Sequence, residues 1–215
     1  MRLRNKPWAQ ELIAAHPELI TIAANSTPST WQECFPSKQP LELEIGSGKG
    51  QFIMEKARQN PQHNFLALEL QTAALAMILK KQVVAQLPNL QLLQANAQNL
   101  TELFAPQSVT KLYLNFSDPW PKTRHEKRRL VAPNFLKLYQ QLLVPQGQLE
   151  FKTDNRGLFE YALCSLNNFP LHLEQVSLDL HASELAAENI PTEYEDKFSQ
   201  KGQPIYFLQA SFPEI

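Results

Sequence analysis

The chain has 215 residues, 43% of them hydrophobic and 19% charged, which is apolar enough for a packed core and excludes a disordered chain. That length predicts one main domain with small extensions. Its 20 lysines and arginines against 21 aspartates and glutamates give a net charge of −1, so bulk charge cannot hold a nucleic acid and a local patch would have to. Residues 1–40 are punctuated by Pro7, Pro17, Pro28, Pro36 and Pro40 around one amphipathic stretch from Leu12 to Ile22. They read as an N-terminal extension packed on a domain spanning 41–215. Behind Arg2, Arg4 and Lys6, the residues Pro7, Glu11, His16 and Pro17 interrupt any apolar core of a secretory leader.

From Leu41 the pattern turns regular. A strand over Leu41–Ile45 leads into a glycine loop and a helix through Phe52, Ile53 and Ala57. A second strand, Asn64–Leu70, precedes a long helix from about residue 71 to 87, stopped by Pro88. That helix holds the longest apolar run, Ala73 to Leu79, far below the ~20 residues of a membrane span. Strands follow at Leu90–Gln94 and Lys111–Asn115, then a helix opened by Pro133 and running to Leu143. A fifth strand, Gln148–Lys152, a helix over Gly157–Asn167, and strands at Leu173–Leu180 and Ile205–Phe212 complete the pattern. Alternating strands and helices predict an α/β fold: a doubly wound, mostly parallel, seven-stranded Rossmann-like sheet with helices on both faces. A soluble, cytoplasmic protein with no membrane contact, monomeric or homodimeric, is expected.

Ligands of such sheets bind beyond the carboxyl ends of the strands, which singles out the loops after Ile45, Leu68, Gln94 and Asn115. Three of only six glycines, Gly46, Gly48 and Gly50, crowd the first loop. Glycine so concentrated serves a backbone need, positive φ or close approach. The loop is not a P-loop, because Leu43 stands where the first glycine would be. Nor is it a dinucleotide fingerprint, because Gln51 stands in place of the third glycine. Glu44, two residues ahead of Gly46, suits a cation rather than a pyrophosphate, which points to S-adenosylmethionine. A tight turn alone would also explain the glycines. Glu69, about 20 residues on, is placed to accept from two ribose hydroxyls, or is a solvated strand-end acid. Asn96 can meet an adenine ring, or serve as a turn residue. Glu42, on the same strand face as Glu44, has no evident physical reason.

The fourth strand ends in Asn115-Phe116-Ser117-Asp118-Pro119-Trp120-Pro121. Two prolines around a tryptophan predict a stiff, extended loop with an aromatic face, unless Trp120 plugs the core. Lys122, Arg124, His125, Lys127, Arg128 and Arg129 follow at once, either a solvated face or a grip on phosphates. The five histidines have no ligand spacing, and Cys34 and Cys164 form neither a disulfide framework nor a zinc site, so no metal is expected.

The run Leu114 to Lys122, followed by Arg124-His125-Glu126-Lys127-Arg128-Arg129-Leu130, resembles the bacterial tRNA (guanine-N7-)-methyltransferases. Arg4 to Ala9, Glu44 to Phe52, Phe151 to Asn155 and Thr192 to Glu195 extend the resemblance along nearly the whole chain. The resemblance implies methyl transfer from S-adenosylmethionine to N7 of guanine, at the variable-loop position 46 of tRNA. It implies a donor pocket of Glu44, Gly46, Gly48, Gly50, Glu69, Asn96 and Asp118, with Asp118 also catalytic. It implies substrate contacts from Lys122, Asp154, Thr192, Glu193, Tyr194 and Glu195, and RNA contacts from Arg124, His125, Lys127, Arg128 and Arg129. Asn96 departs from the family's usual aspartate but keeps an acceptor for adenine.

Two of these roles compete with local geometry. Thr192 to Glu195 after Pro191 has the spacing of a capping box, with Gly202 set to end the helix, and Asp154 could cap the helix after the fifth strand. An adenine amino methyltransferase is the chief enzymatic rival, although Trp120 stands where its second loop proline would be. A nicotinamide dehydrogenase fits the glycine spacing poorly, and a non-catalytic RNA-binding module would leave the glycine loop and its acids unexplained.

Overall fold

The structure, a computed structural model, describes residues 6–23, 30–199 and 202–213, and divides between Ala105 and Pro106 into two units. In the first unit, α1 (Trp8–Ala15) stops ahead of Pro17, and β1 (Ile20–Ile22) follows. Then come β2 (Leu41–Ile45), α2 (Gln51–Gln59), β3 (Asn64–Glu69), α3 (Thr72–Ala85), β4 (Leu90–Gln94) and the short α4 (Leu100–Leu103). The four strands are parallel, in the order β1-β4-β3-β2.

β2 alternates leucine with glutamate, the pattern of a half-exposed strand, yet all five of its residues are buried. Glu42 is tolerated there because His63 Nδ1 meets its carboxylate, which supplies the reason the sequence did not. β1 corrects the reading of Leu12–Ile22 as one amphipathic stretch. Pro17 ends helical geometry, and the β-branched Ile20-Thr21-Ile22 pairs in parallel with Leu92, Leu93 and Gln94. Among the described residues eight strands therefore stand where seven were predicted. α3 ends at Ala85, two residues before the predicted Leu87, and its cap Gln86 takes the left-handed conformation at φ 49°.

The second unit holds β5 (Val109–Asn115), α5 (Pro133–Leu142), β6 (Leu143–Thr153), α6 (Arg156–Asn168), β7 (His172–Ser177), α7 (Glu193–Ser199) and β8 (Tyr206–Ser211). Pro133 opens α5 because its missing N–H is unpaired in a first turn anyway. β6 is parallel to β5, and β8 is antiparallel to both β6 and β7, in the order β5-β6-β8-β7. β6 starts five residues earlier than predicted, the extra length being absorbed by an irregularity between Val109 and Lys111 of β5. The predicted strand to Leu180 stops at Ser177. Leu180 instead packs with Ile205 and Phe207 in a small buried cluster that Phe116 and Leu185 cover. Among the described residues no helix is long and apolar enough to cross a membrane.

Candidate functional site

In the first unit the carboxyl ends of β2, β3 and β4 line up: Ile45 pairs with Leu68, and Glu69 with Gln94. Neighbouring strands lie ~4.8 Å apart, so the loops after the three strands share one edge roughly 10 Å wide. The glycine loop is tied down by Gly46 N–H and Ser47 N–H, both donating to Leu68 O, and by Gly50 N–H donating to Ser47 O. Gly46, Gly48 and Gly50 all have positive φ, at 77°, 56° and 81°. A side chain on Gly50 would meet Ile78 at 2.7 Å, so Gly50 serves the seating of α3. Open space lies beside Gly46 and Gly48. Those two glycines therefore leave room for a ligand against bare main chain.

Glu69 organises this edge. Its two carboxylate oxygens accept from Gly48 N–H at 3.0 Å and from Gln71 N–H at 2.8 Å. A carboxylate offers about four acceptor positions. Glu69 thus fixes the loop from the end of β3, the strand end where an acid of this kind would meet a ribose. Glu44 lies buried at the end of β2, just under the loop. Asn96 is exposed two residues beyond β4, and its Oδ1 accepts from Gln98 N–H at 3.0 Å. The turn role is therefore real, and its amide N–H groups are what remain to meet a ring nitrogen.

In the second unit β5 delivers the loop that carries Asp118. Phe116 N–H donates to Lys152 O at 2.8 Å, setting this loop beside the end of β6. The loop is not extended throughout, as the two prolines had suggested. Phe116 at φ 52° and Trp120 at φ 40° take left-handed geometry, and the exposed Asp118 lies between them. Bulky residues in that region cost about 1–3 kcal/mol each and persist only where the surroundings hold them. Arg129 supplies the hold: Nε donates to Pro119 O at 3.2 Å and to Trp120 O at 3.3 Å, and Nη2 donates to Trp120 O at 3.1 Å. Hydrogen bonds from a charged group contribute roughly 1.5–3 kcal/mol, the same size as the strain. The Arg129 guanidinium also lies 4.3 Å from the Tyr161 ring, and Tyr161 donates its hydroxyl to Glu126 at 2.9 Å. Burial and that hydrogen bond push the Tyr161 phenol up to about 12.

Ser117 Oγ, next to Asp118, is buried with no hydrogen-bond partner among the described residues. The predicted basic run is a 3-10 turn over Thr123–Arg128. Lys122, Arg124, Lys127 and Arg128 are exposed on it, with Arg128 4.9 Å above the Trp120 ring and His125 edge-on to it at 5.6 Å.

The end of β6 gathers the remaining candidates. Asn155, not Asp154, caps α6, accepting from Leu158 N–H at 2.8 Å. Asp154 instead accepts from the Tyr194 hydroxyl at 3.3 Å, and Tyr194 packs 5.1 Å from Phe116. The capping box is present: Glu195 N–H donates to Thr192 Oγ1 at 3.0 Å, and Thr192 N–H donates to Glu195 at 3.4 Å. Glu195 is fully buried. Its carboxylate accepts from Lys152 Nζ at 2.9 Å, His181 Nε2 at 2.9 Å and Asn189 Nδ2 at 2.6 Å. With four donors of this chain on it, the carboxylate is engaged in holding its own loop, so the capping reading of this segment is the one the hydrogen bonds show. Lys152 also donates to Asn189 Oδ1 and Ile190 O, so a buried cation clamps residues 189–195 onto β6. Sequence reasoning gave no role to Lys152, His181, Asn189 or Tyr161. A lone lysine between Phe151 and Thr153 in an apolar strand was the one signal. Glu193 lies in the first turn of α7. Among the described residues, no group of three or more histidine, cysteine or acidic side chains converges as a metal site.

Residues 38–208 match the family model described as "Putative methyltransferase". The tRNA (guanine-N(7)-)-methyltransferase of Lactiplantibacillus plantarum is 58% identical over 213 residues, covering 99% of each chain. The enzyme of the same name from Pediococcus pentosaceus is 54% identical over 212 residues, covering 99% of this chain and all of that one. Among solved structures, the 16S rRNA methyltransferase KamB superposes with TM-score 0.63 at 18% identity, over 81% of this chain and 88% of its own. A SAM-dependent methyltransferase from Aquifex aeolicus gives TM-score 0.58 at 11% identity, over 95% and 98% of the two chains. At such identities these two structures speak for the fold, an α/β methyltransferase fold.

Proposed function

The chain belongs to the tRNA (guanine-N7-)-methyltransferase family, and from that premise we infer that it transfers a methyl group from S-adenosylmethionine to N7 of a guanine in tRNA. The observation in this chain that carries the reading is the open glycine loop after β2, with bare main chain at Gly46 and Gly48 and with Gly48 N–H held by the strand-end carboxylate of Glu69. Glu44, Gly46, Gly48, Glu69 and Asn96 form the donor-binding edge, with Gly50 shaping it from behind.

S-adenosylmethionine supplies a methyl group already activated by a cationic sulfur. Guanine N7 is an unprotonated lone pair, so no side chain has to act as a base. The chain's task is to hold N7 in line with the methyl, and orientation of this kind can supply roughly 7–11 kcal/mol. Asp118 carries a negative charge suited to the cationic ring that develops. Asp154 accepts from the N1–H and exocyclic amine edge, which distinguishes guanine from adenine. Tyr194 and Lys122 contact the base and its backbone, and Arg124, His125, Lys127 and Arg128 hold phosphates. Glu195 acts by fixing the 192–195 segment that presents Tyr194.

The target is the variable-loop guanine at position 46, by resemblance to the family, and the enzyme works in the cytoplasm beside its tRNA. Transfer of labelled methyl to tRNA but not to DNA tests the activity. Chemical cleavage at 7-methylguanosine maps the position, and a product anywhere but the variable loop refutes that part.

A further inference from the structure

We propose that Arg129 is a positioning residue for methyl transfer: it fixes the main chain of Pro119 and Trp120, and through it the loop that carries Asp118. The inference rests on the reading above, in which Asp118 acts at the reacting guanine. Arg129 ends a run of cations whose other members, Arg124, Lys127 and Arg128, are exposed, but its own environment differs. It is half-buried, and its Nε edge is spent on two carbonyls of its own chain. Its guanidinium carbon lies over the ring of Tyr161 of α6, 4.3 Å from the centroid. Tyr161 is tethered to the carboxylate of Glu126, and Arg129 N–H donates to Glu126 O at 3.0 Å, so the brace closes on itself and is anchored to a helix. What it braces is a loop with left-handed residues on both sides of Asp118, at Phe116 and Trp120. Residues in such conformations cluster where function requires a side chain to be aimed. A rigid fork is needed to bridge two carbonyls while lying over a ring, and a lysine cannot do this. Charge at residue 129 is therefore not enough.

The test uses Arg129→Lys, Arg129→Gln and Tyr161→Leu in the full-length enzyme, with Arg124→Ala as a phosphate-contact control. Activity is measured at saturating tRNA and donor, tRNA affinity across a salt series, and thermal unfolding alongside. Positioning predicts that kcat falls about tenfold or more in all three brace variants, while tRNA affinity and its salt slope stay at wild-type values. Arg124→Ala should instead flatten the slope by roughly 0.7–0.9. Wild-type kcat in Arg129→Lys would overturn the proposal, and so would a slope in Arg129→Gln that flattens as in the control. If the Arg129 variants unfold at the assay temperature, Tyr161→Leu decides: wild-type kcat there reduces the brace to a stability device. Failure of the wild-type enzyme to methylate tRNA would refute the functional reading itself, a different result from any of these.

Discussion

Removing the Glu69 carboxylate should separate its two tasks. In Glu69→Ala the donor loses its paired acceptor for the ribose hydroxyls, and Gly48 and Gln71 lose the acceptor that fixes their N–H groups. The ribose bonds are charge-assisted and together are worth roughly 1.5–3 kcal/mol. At 1.4 kcal/mol per tenfold, the dissociation constant for S-adenosylmethionine rises by about ten- to a hundredfold. Glu69→Gln keeps the shape, but its amide group must face one of the two main-chain N–H donors, so it is expected to fail nearly as badly. Calorimetric titration gives the affinity, and a donor analogue lacking the ribose hydroxyls isolates the direct contact. The analogue should bind the wild type more weakly than the natural donor does, yet bind Glu69→Ala no worse than the natural donor. If both donors lose affinity equally on substitution, Glu69 acts only through the loop. If neither does, Glu69 is no part of the donor site.

Asp118→Asn keeps size but not charge, and single-turnover methylation should slow roughly 10²–10³-fold; a loss under threefold would make the carboxylate structural. Arg124→Ala with Arg128→Ala should flatten the salt dependence of tRNA binding by about 1.4–1.8 units, with donor affinity intact, as filter binding would show. Lys152→Met leaves the buried Glu195 without its cation, a change expected to cost about 3–5 kcal/mol. In a chain of this length that lowers Tm by roughly 6–20 °C, and a shift under 3 °C would mean that His181 and Asn189 hold Glu195 without Lys152. The Tyr161 phenol is raised from its ordinary value near 10 to about 12, so the folded state keeps a proton that the unfolded state gives up. Stability from this source is present below pH 10 and falls as pH climbs toward 12; Tyr161→Phe should lessen the alkaline decline in Tm, and an unchanged decline would assign it to other groups such as the buried Tyr139.

Where local pattern decided the outcome, the sequence was a good guide. β2 and β4 have the predicted bounds, and α5 begins at Pro133 because proline favours that position whatever packs on it. β1 escaped because three residues carry no period, and only pairing with β4 makes Ile20–Ile22 a strand. The glycine loop was legible as a loop that needs positive φ, but the division of labour within it was not. That Gly50 exists for Ile78 depends on a helix placed by the rest of the fold. The capping box of Thr192 and Glu195 was legible from spacing, but the sequence cannot say that Lys152, 43 residues upstream, points at Glu195. Arg129 was the least readable, since its partners are main-chain carbonyls and main chain leaves no mark in composition.

The position of β8 bears on how the protein is made. It is the last of the described strands to leave the ribosome, yet it lies between β6 and β7. Until residues 206–211 emerge, those two older strands have no partner along the edges it will occupy, and each offers a row of free N–H and carbonyl groups. Such edges recruit one another between chains. The second unit therefore completes late in synthesis, and nascent chains stalled before residue 206 are the ones expected to need chaperones most.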